Sequence, residues 1–300
     1  MTTQLTWTNA KEHPKTVVFE PGFDPTFVHL GERSEASESH VWIPGTVARL
    51  RGGGFGNRRN LWSVRFEVGS SLASIPEGCF QSSPLTSFVL PREVAALRPN
   101  CFRRCQSLAD FAFEQGSRLR SIGDSAFAFS GVVSLTLPAA VMTVEAMAFH
   151  GCETLTNLEF EPLSALTTLG AQAFAHACSL RVFHVPPGVT FIGQDCFGRC
   201  AALTEITFAD RATGHQAVDQ SGRMLIGDGA FSGTAIAWLE LPAHAAQNGE
   251  GQIARCASLT VVTYATDREG RREPWNDTLA RSDRWRLRGV LGPEQSGAGN

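Results

Sequence analysis

Residues 132–160 read VVSLTLPAAVMTVEAMAFHGCETLTNLEF. The run opens and closes on the same phrase, Leu-x-x-Φ-x-Φ with Φ apolar. Val132, Leu135 and Leu137 carry it first, and Leu155, Leu158 and Phe160 carry it again at the far end. Leu135 and Leu137 are two positions apart, so a strand points both to one face and Ser134 and Thr136 to the other. Between the two phrases stand Pro138, a second apolar pair (Val141 and Val144), Phe149 after the small Ala148, and then Cys152. A unit this short cannot enclose its own apolar face. Copies of it must stack, and that dictates a solenoid.

Outward from this stretch, the phrase recurs along most of the chain. It starts at Leu61, Leu85, Leu108, Leu155, Leu180, Leu203 and Leu259, with conservative starts at Val132 and Ile236 and degenerate ones at Pro14 and Glu38. These starts advance almost evenly. The step from Leu155 to Leu180 is slightly long, and the step from Leu203 to Ile236 is much longer. The fourth and sixth slots are apolar in every copy. A second apolar pair follows each strand, from Val47 and Leu50 through Val189 and Ile192. Next comes one phenylalanine per unit: Phe55, Phe80, Phe102, Phe127, Phe149, Phe174, Phe197 and Phe231. The spacing predicts a tight turn, a short helical turn with an inward Phe, and a return loop.

A longer rhythm overlies the repeat. Units starting at 38, 85, 132, 180 and 236 place Pro after the strand (Pro44, Pro91, Pro138, Pro186, Pro242) and an aliphatic residue in slot six. The units between them place Phe in slot six, followed in four cases by Glu: Glu20, Glu67, Glu114 and Glu161. Large rings stacked between smaller aliphatics suit a closely packed layer.

The consensus Leu-x-x-Φ-x-Φ-Pro-x-x-Val-x-x-Ile-Gly-x-x-Ala-Phe-x-x-Cys resembles the BspA-type leucine-rich repeat. RLRSIGDSAF (118–127), VMTVEAMAFHGC (141–152) and VTFIGQDCFGRC (189–200) carry the resemblance best, and it covers roughly residues 14–265. It implies an α/β solenoid, a curved leucine-rich repeat array of about ten to eleven coils. One side would be a parallel strand face, and the return side would hold turns and short helical turns. Such proteins are described as microbial surface adhesins and as interaction modules. The resemblance brings no catalytic residues. The expected domains are an N-terminal cap with a degenerate first repeat (1–37), the repeats (38–265) and a C-terminal cap and tail (266–300).

Composition agrees with an uncharged, repetitive core. Apolar residues are 43% of the 300, charged residues 18%, and net charge is −3. That balance argues against a basic nucleic-acid binder. There are 20 Phe but one Tyr, and two lysines, Lys11 and Lys15, against 24 arginines. No apolar run is long enough to span a bilayer as a helix. Met1 to Glu20 lacks a basic-then-apolar leader pattern, which predicts an intracellular location and leaves surface exposure open.

The candidate chemistry is sparse. Cys101/Cys105 and Cys196/Cys200 have Cys-x3-Cys spacing, which a metal site could use. The repeat accounts for all eight cysteines as packing residues. Cys79, Cys101 and Cys196 precede the unit Phe, while Cys105, Cys152, Cys178, Cys200 and Cys256 are read as sharing a slot three residues after it. His150 and His176 read as structural or solvated. The Gly52-Gly53-Gly54-Phe55-Gly56 segment lacks the Lys-Ser/Thr of a phosphate loop and reads as a loose turn. Asn276-Asp277-Thr278 is a glycosylation sequon that matters only in a secreted chain. The chain is therefore expected to be non-enzymatic, with no cofactor and no metal.

The exposed strand slots carry the functional expectation. Slots three, five and seven hold Glu20, Glu67, Asp110, Glu114, Glu159, Glu161, Glu205 and Glu240 against one base, Arg65. Several other arginines, Arg58, Arg59, Arg103, Arg104, Arg199 and Arg255, fall on the return side. This predicts an acidic docking face for a basic protein partner, with Trp42, His184 and Trp238 as aromatic anchors. Neither nucleic acid nor membrane insertion is expected. The alternative functions are a microbial adhesin binding host or matrix proteins, and a carbohydrate or enzymatic site in the extra residues at 210–223. Those residues read as a small hairpin, with Gln216 to Val218 facing Arg223 to Ile226. Trp275, Leu279 and Trp285 are expected to cap the far end.

Overall fold

The computed structural model describes residues 4–9, 12–18, 27–28, 39–209, 224–242, 245–246, 259 and 261–264. Each repeat phrase forms a strand of the first face. Ser39–Ile43, Leu61–Phe66, Ser87–Leu90, Asp110–Phe113, Ser134–Leu137 and Asn157–Phe160 pair in parallel, in chain order. The pattern continues in two further pairs, Val182–Val185 with Glu205–Phe208 and Trp238–Leu241 with Val261–Tyr264. The two breaks in the ladder lie in the units that begin at Leu155 and Leu203, where the repeat lengthens. Extra backbone in one coil displaces the next strand from hydrogen-bonding register.

The second apolar pair forms another face. Strands of two or three residues, from Ser74–Ile75 to Ala245–Ala246, make seven consecutive parallel pairings. Among the described residues this second ladder makes a parallel β-solenoid of about seven turns, where the repeat predicts ten to eleven coils along the chain. Met224–Ile226 belongs to this ladder, beside Phe191–Ile192. It is therefore not the second arm of the expected hairpin; residues 210–223 themselves lie outside the described residues, as do Cys256 and the expected cap at 266–300.

The return side contains no helix among the described residues, which corrects the expected helical turn. A pair of left-handed residues replaces it in each unit, one two positions before the unit Phe and one two positions after. Ser125 and Phe129 flank Phe127, and Gln172 and His176 flank Phe174, with φ between 54° and 62°. A left-handed residue every fourth position reverses the chain before a helix can propagate. The turns then stack by backbone hydrogen bonds. Phe102 N–H donates to Ala126 O and Phe127 N–H to Ala148 O, both at 2.8 Å. Gly52 to Gly56 forms the same stacked turn, with Phe55 N–H donating to Cys79 O at 2.9 Å, so it is regular rather than loose.

The core is a column of rings. Phe55, Phe80, Phe102, Phe127, Phe149, Phe174, Phe197 and Phe231 stack face to face, with centroids 5.1 to 6.0 Å apart and planes within 20°. Strands stack at about 4.8 Å, so a phenyl ring in every coil nearly matches the backbone rise. Phe88, Phe111 and Phe183 meet the column edge-on, as at Phe88–Phe102 (4.8 Å, 71°). The fourth-slot residues and the unit phenylalanines are buried throughout the described coils.

At the N-terminal edge the phrase at Pro14 lies in a hairpin, while Phe27–Val28 pairs in parallel with Arg49–Leu50. Glu12–Val18 pairs antiparallel with Gln4–Asn9, and Gln4–Asn9 pairs antiparallel with Ser39–Ile43. The strand foreseen near Pro14 exists, but it is not the next parallel rung. Reversing strand direction ends the parallel ladder there.

Replacing Phe149 by Ala removes a ring stacked at 2° and 3° on its two neighbours. It should cost about 3–5 kcal/mol, read from urea denaturation. Gly193 tests the closeness of the coils: a Cβ there collides with the backbone of Ala171 and Gly170. Gly193→Ala should cost about 1–3 kcal/mol although it adds one methyl group.

Candidate functional site

The outward strand face is built by slots three and five. Ser87, Val89, Asp110, Ala112, Ser134, Thr136, Asn157 and Glu159 are exposed on consecutive strands, while their in-between neighbours Phe88, Leu135 and Leu158 are buried. Small side chains make the middle of this face flat. Trp42, 37% exposed, stands near one end beside Arg65 of the next strand. Trp238, 53% exposed, stands near the other, with Glu240 on the same strand. His184 projects between them, and its Nδ1 shares a hydrogen bond with Thr207 Oγ1 at 2.6 Å across paired strands.

The structure sorts seven of the eight expected acids into two kinds. Asp110, Glu159, Glu205 and Glu240 are exposed on the strands themselves. Glu159 accepts a hydrogen bond from the Asn157 side chain at 3.0 Å. Glu67, Glu114 and Glu161 sit just beyond their strands, at the turn. Each carboxylate accepts the backbone N–H of the residue after proline in the preceding coil: Gly45 at 2.7 Å, Arg92 at 2.8 Å and Ala139 at 2.9 Å. Each also donates its own N–H to that coil's sixth-slot carbonyl, at Ile43, Leu90 and Leu137. Glu20 lies outside the described residues.

These contacts explain the two-coil rhythm. Each proline carbonyl accepts the N–H three residues on, as at Pro44–Val47 and Pro91–Val94 (3.0 and 3.1 Å). The N–H immediately after the proline has no partner in that turn. A glutamate from the following coil supplies one. The sequence displays the Pro and Glu alternation without the link between them. That link crosses from one coil to the next and becomes visible only once coils stack.

The cysteines are arranged for packing. Seven are free, and all of these except Cys178 are buried. Cys105 donates to Phe80 O at 3.0 Å, Cys152 to Phe127 O at 3.1 Å and Cys200 to Phe174 O at 3.0 Å. Burial raises these thiols to about 11, 11 and 12. Cys178 departs from the slot assigned to it. It stands four residues after Phe174, Ala177 fills the buried position, and Cys178 faces outward. No group of three or more His, Cys, Asp or Glu side chains able to hold a metal occurs among the described residues. No helix there is long and apolar enough to cross a membrane.

Comparisons with known proteins agree with the repeat. The profile of the BspA type Leucine rich repeat region matches in six copies, across residues 34–155 and 120–260. A leucine-rich repeat protein from Bacteroides ovatus has a similar structure, with 18% identity and a TM-score of 0.56, over 88% of this chain and 76% of that one. The structure of PcpA, described as a pneumococcal vaccine antigen, is also similar, at 19% identity and a TM-score of 0.50. That match covers 81% of this chain and 66% of the antigen. Among curated proteins no sequence matches.

Replacing Glu67, Glu114 and Glu161 together by Ala should lower stability by about 0.5–1 kcal/mol per site, since these bonds are charge-assisted but screened. The thermal midpoint reports it. Iodoacetamide followed by peptide mapping should modify Cys178 in the native protein, while the six buried thiols react only after unfolding.

Proposed function

The chain belongs to the BspA-type leucine-rich repeat family, and on that premise we propose that it is a non-enzymatic protein-interaction scaffold that works through its strand face. The supporting observation is the run of exposed slots from Ser87 to Glu159, with Trp42 and Trp238 exposed toward either end of the face. Solenoids bind through extended surfaces of this kind. Small side chains let a partner approach the sheet closely. Tryptophans near each end supply apolar area that neighbouring coils do not cover.

Charge decides the expected partner. Asp110, Glu159, Glu205 and Glu240 project from the same face, with Arg65 as the basic exception. A partner with a basic patch gains attraction and faster encounter from this arrangement. Glu67, Glu114 and Glu161 form the rim, held by their backbone contacts.

A second reading, display as a microbial surface protein, draws on the likeness to a structure described as a vaccine antigen. Protease treatment of intact cells separates the two: loss of the protein supports display, and protection supports an internal scaffold.

Capture from the source organism's lysate tests the scaffold reading. The bait carries Trp42→Ser and Trp238→Ser, or Asp110→Lys and Glu159→Lys, alongside the unaltered chain. Each pair should weaken recovery of a partner by about tenfold or more with an unchanged thermal midpoint. Equal recovery by all three baits would count against a strand-face site.

A further inference from the structure

The return turns carry a second surface, opposite in chemistry to the strand face. Two positions follow each unit phenylalanine and form two columns along the solenoid. One runs Gly56, Gln81, Arg103, Ala128, His150, Ala175, Gly198, Ser232; the other runs Asn57, Ser82, Arg104, Phe129, Gly151, His176, Arg199, Gly233. Backbone hydrogen bonds join them coil to coil, with Arg104 N–H donating to Ala128 O, Phe129 N–H to His150 O and His176 N–H to Gly198 O, each at 2.8 Å. Neither column contains an acid.

Five consecutive coils concentrate cations and rings there. Arg104 and Arg199 are exposed at the two ends. Between them lie Phe129, 39% exposed, His150 and His176. Phe129 meets His150 edge-on with centroids 5.3 Å apart, and His150 lies 5.3 Å from His176. Gly151 makes this possible, because a Cβ there would stand 2.6 Å from the Phe129 ring. Phe129, His176, Arg104 and Arg199 all hold left-handed backbone angles, so the turn presents them outward instead of folding them into the core.

His150 Nδ1 and Arg103 Nε are buried polar atoms without a hydrogen-bond partner. Burial holds the His150 ring below the usual histidine range, and its neighbours His176 and Arg103 push the same way. The two columns thus hold arginines and rings and no acid.

We propose that this Arg104–Phe129–His150–His176–Arg199 stripe is a binding site for an acidic, extended segment of another protein. Five coils at about 4.8 Å span roughly 20–25 Å, which matches about six to eight residues of extended chain at about 3.3 Å each. Carboxylates of that segment pair with the arginines, and its backbone or an apolar side chain lies on the Phe129 ring. A long nucleic acid fits less well. Net charge of −3 repels a polyanion that extends past the stripe. This site is separate from the strand face, so either can fail without the other.

The test uses a fluorescein-labelled peptide of about eight alternating Glu and Ser residues, with its Gln and Ser counterpart as the neutral probe. Binding is followed by anisotropy at low and physiological salt. The acidic probe should bind and weaken with salt, and the neutral probe should not bind. Arg104→Asn with Arg199→Asn should weaken binding by about tenfold or more; asparagine tolerates the left-handed backbone, so the fold is kept. Phe129→Asn should weaken it as well, at an unchanged thermal midpoint. Arg65→Ser, on the opposite face, should leave it unaltered. The proposal is overturned if the acidic probe fails to bind at low salt, or if the neutral probe binds equally. It is also overturned if the double arginine variant binds as well as the parent. Tighter binding of an oligothymidine of matched length would reassign the stripe to single-stranded nucleic acid and overturn it too.

Discussion

One phenyl ring per coil sets the geometry of this protein. The unit phenylalanines stack nearly parallel, and the backbone hydrogen bonds at the strand face, the second face and the return turn advance by the same step. A ring stack tolerates little change in spacing before it loses contact. Each coil must therefore return its chain to the same place after about the same path. The near-constant repeat length follows from that requirement. Where the repeat lengthens, after Leu155 and after Leu203, strand pairing on the first face is interrupted, while the second face and the ring column continue.

The left-handed turn residues answer the same constraint. Alternating right- and left-handed residues keep the return side in the plane of the coil and aim its N–H groups at the next one. The strain of non-glycine residues there, about 1–2 kcal/mol each, is offset by bonds repeated at every level. Arg104, Phe129 and Arg199, at the second of these positions, are exposed. The return edge thus becomes a surface whose composition is free to serve binding, and here arginine, histidine and phenylalanine collect on it.

The Pro–Glu alternation solves a different problem. A proline turn leaves the following N–H without a partner, and stacking alone does not supply one. The carboxylate of the next coil does, at Gly45, Arg92 and Ala139. Acids that a one-dimensional reading gathers into a docking face thus already hold structural bonds. The strand-face acids proper are fewer: Asp110, Glu159, Glu205 and Glu240. A charge pattern read from slots overestimates free charge whenever a slot lies at a turn rather than on the strand.

The family, the parallel solenoid and the buried slots are legible in the sequence by itself. Strand alternation and the recurrence of Phe are local patterns, and stacking identical units has essentially one solution. Cys105, Cys152 and Cys200 read as packing residues for the same reason. Tertiary structure decides several other features. A short segment ending in Ala-Phe satisfies helical spacing as well as a left-handed turn; only stacking against the next coil distinguishes the two. Cys178 reads as buried from its neighbourhood, because a one-residue shift is invisible until Ala177 occupies the inner position. The strand near Pro14 is legible, but its antiparallel partner is not, since strand direction depends on what lies beside it. The sequence determines which residues repeat. Their neighbours in the adjacent coil, distant in the chain but brought within a few ångströms by stacking, determine what each repeated residue does.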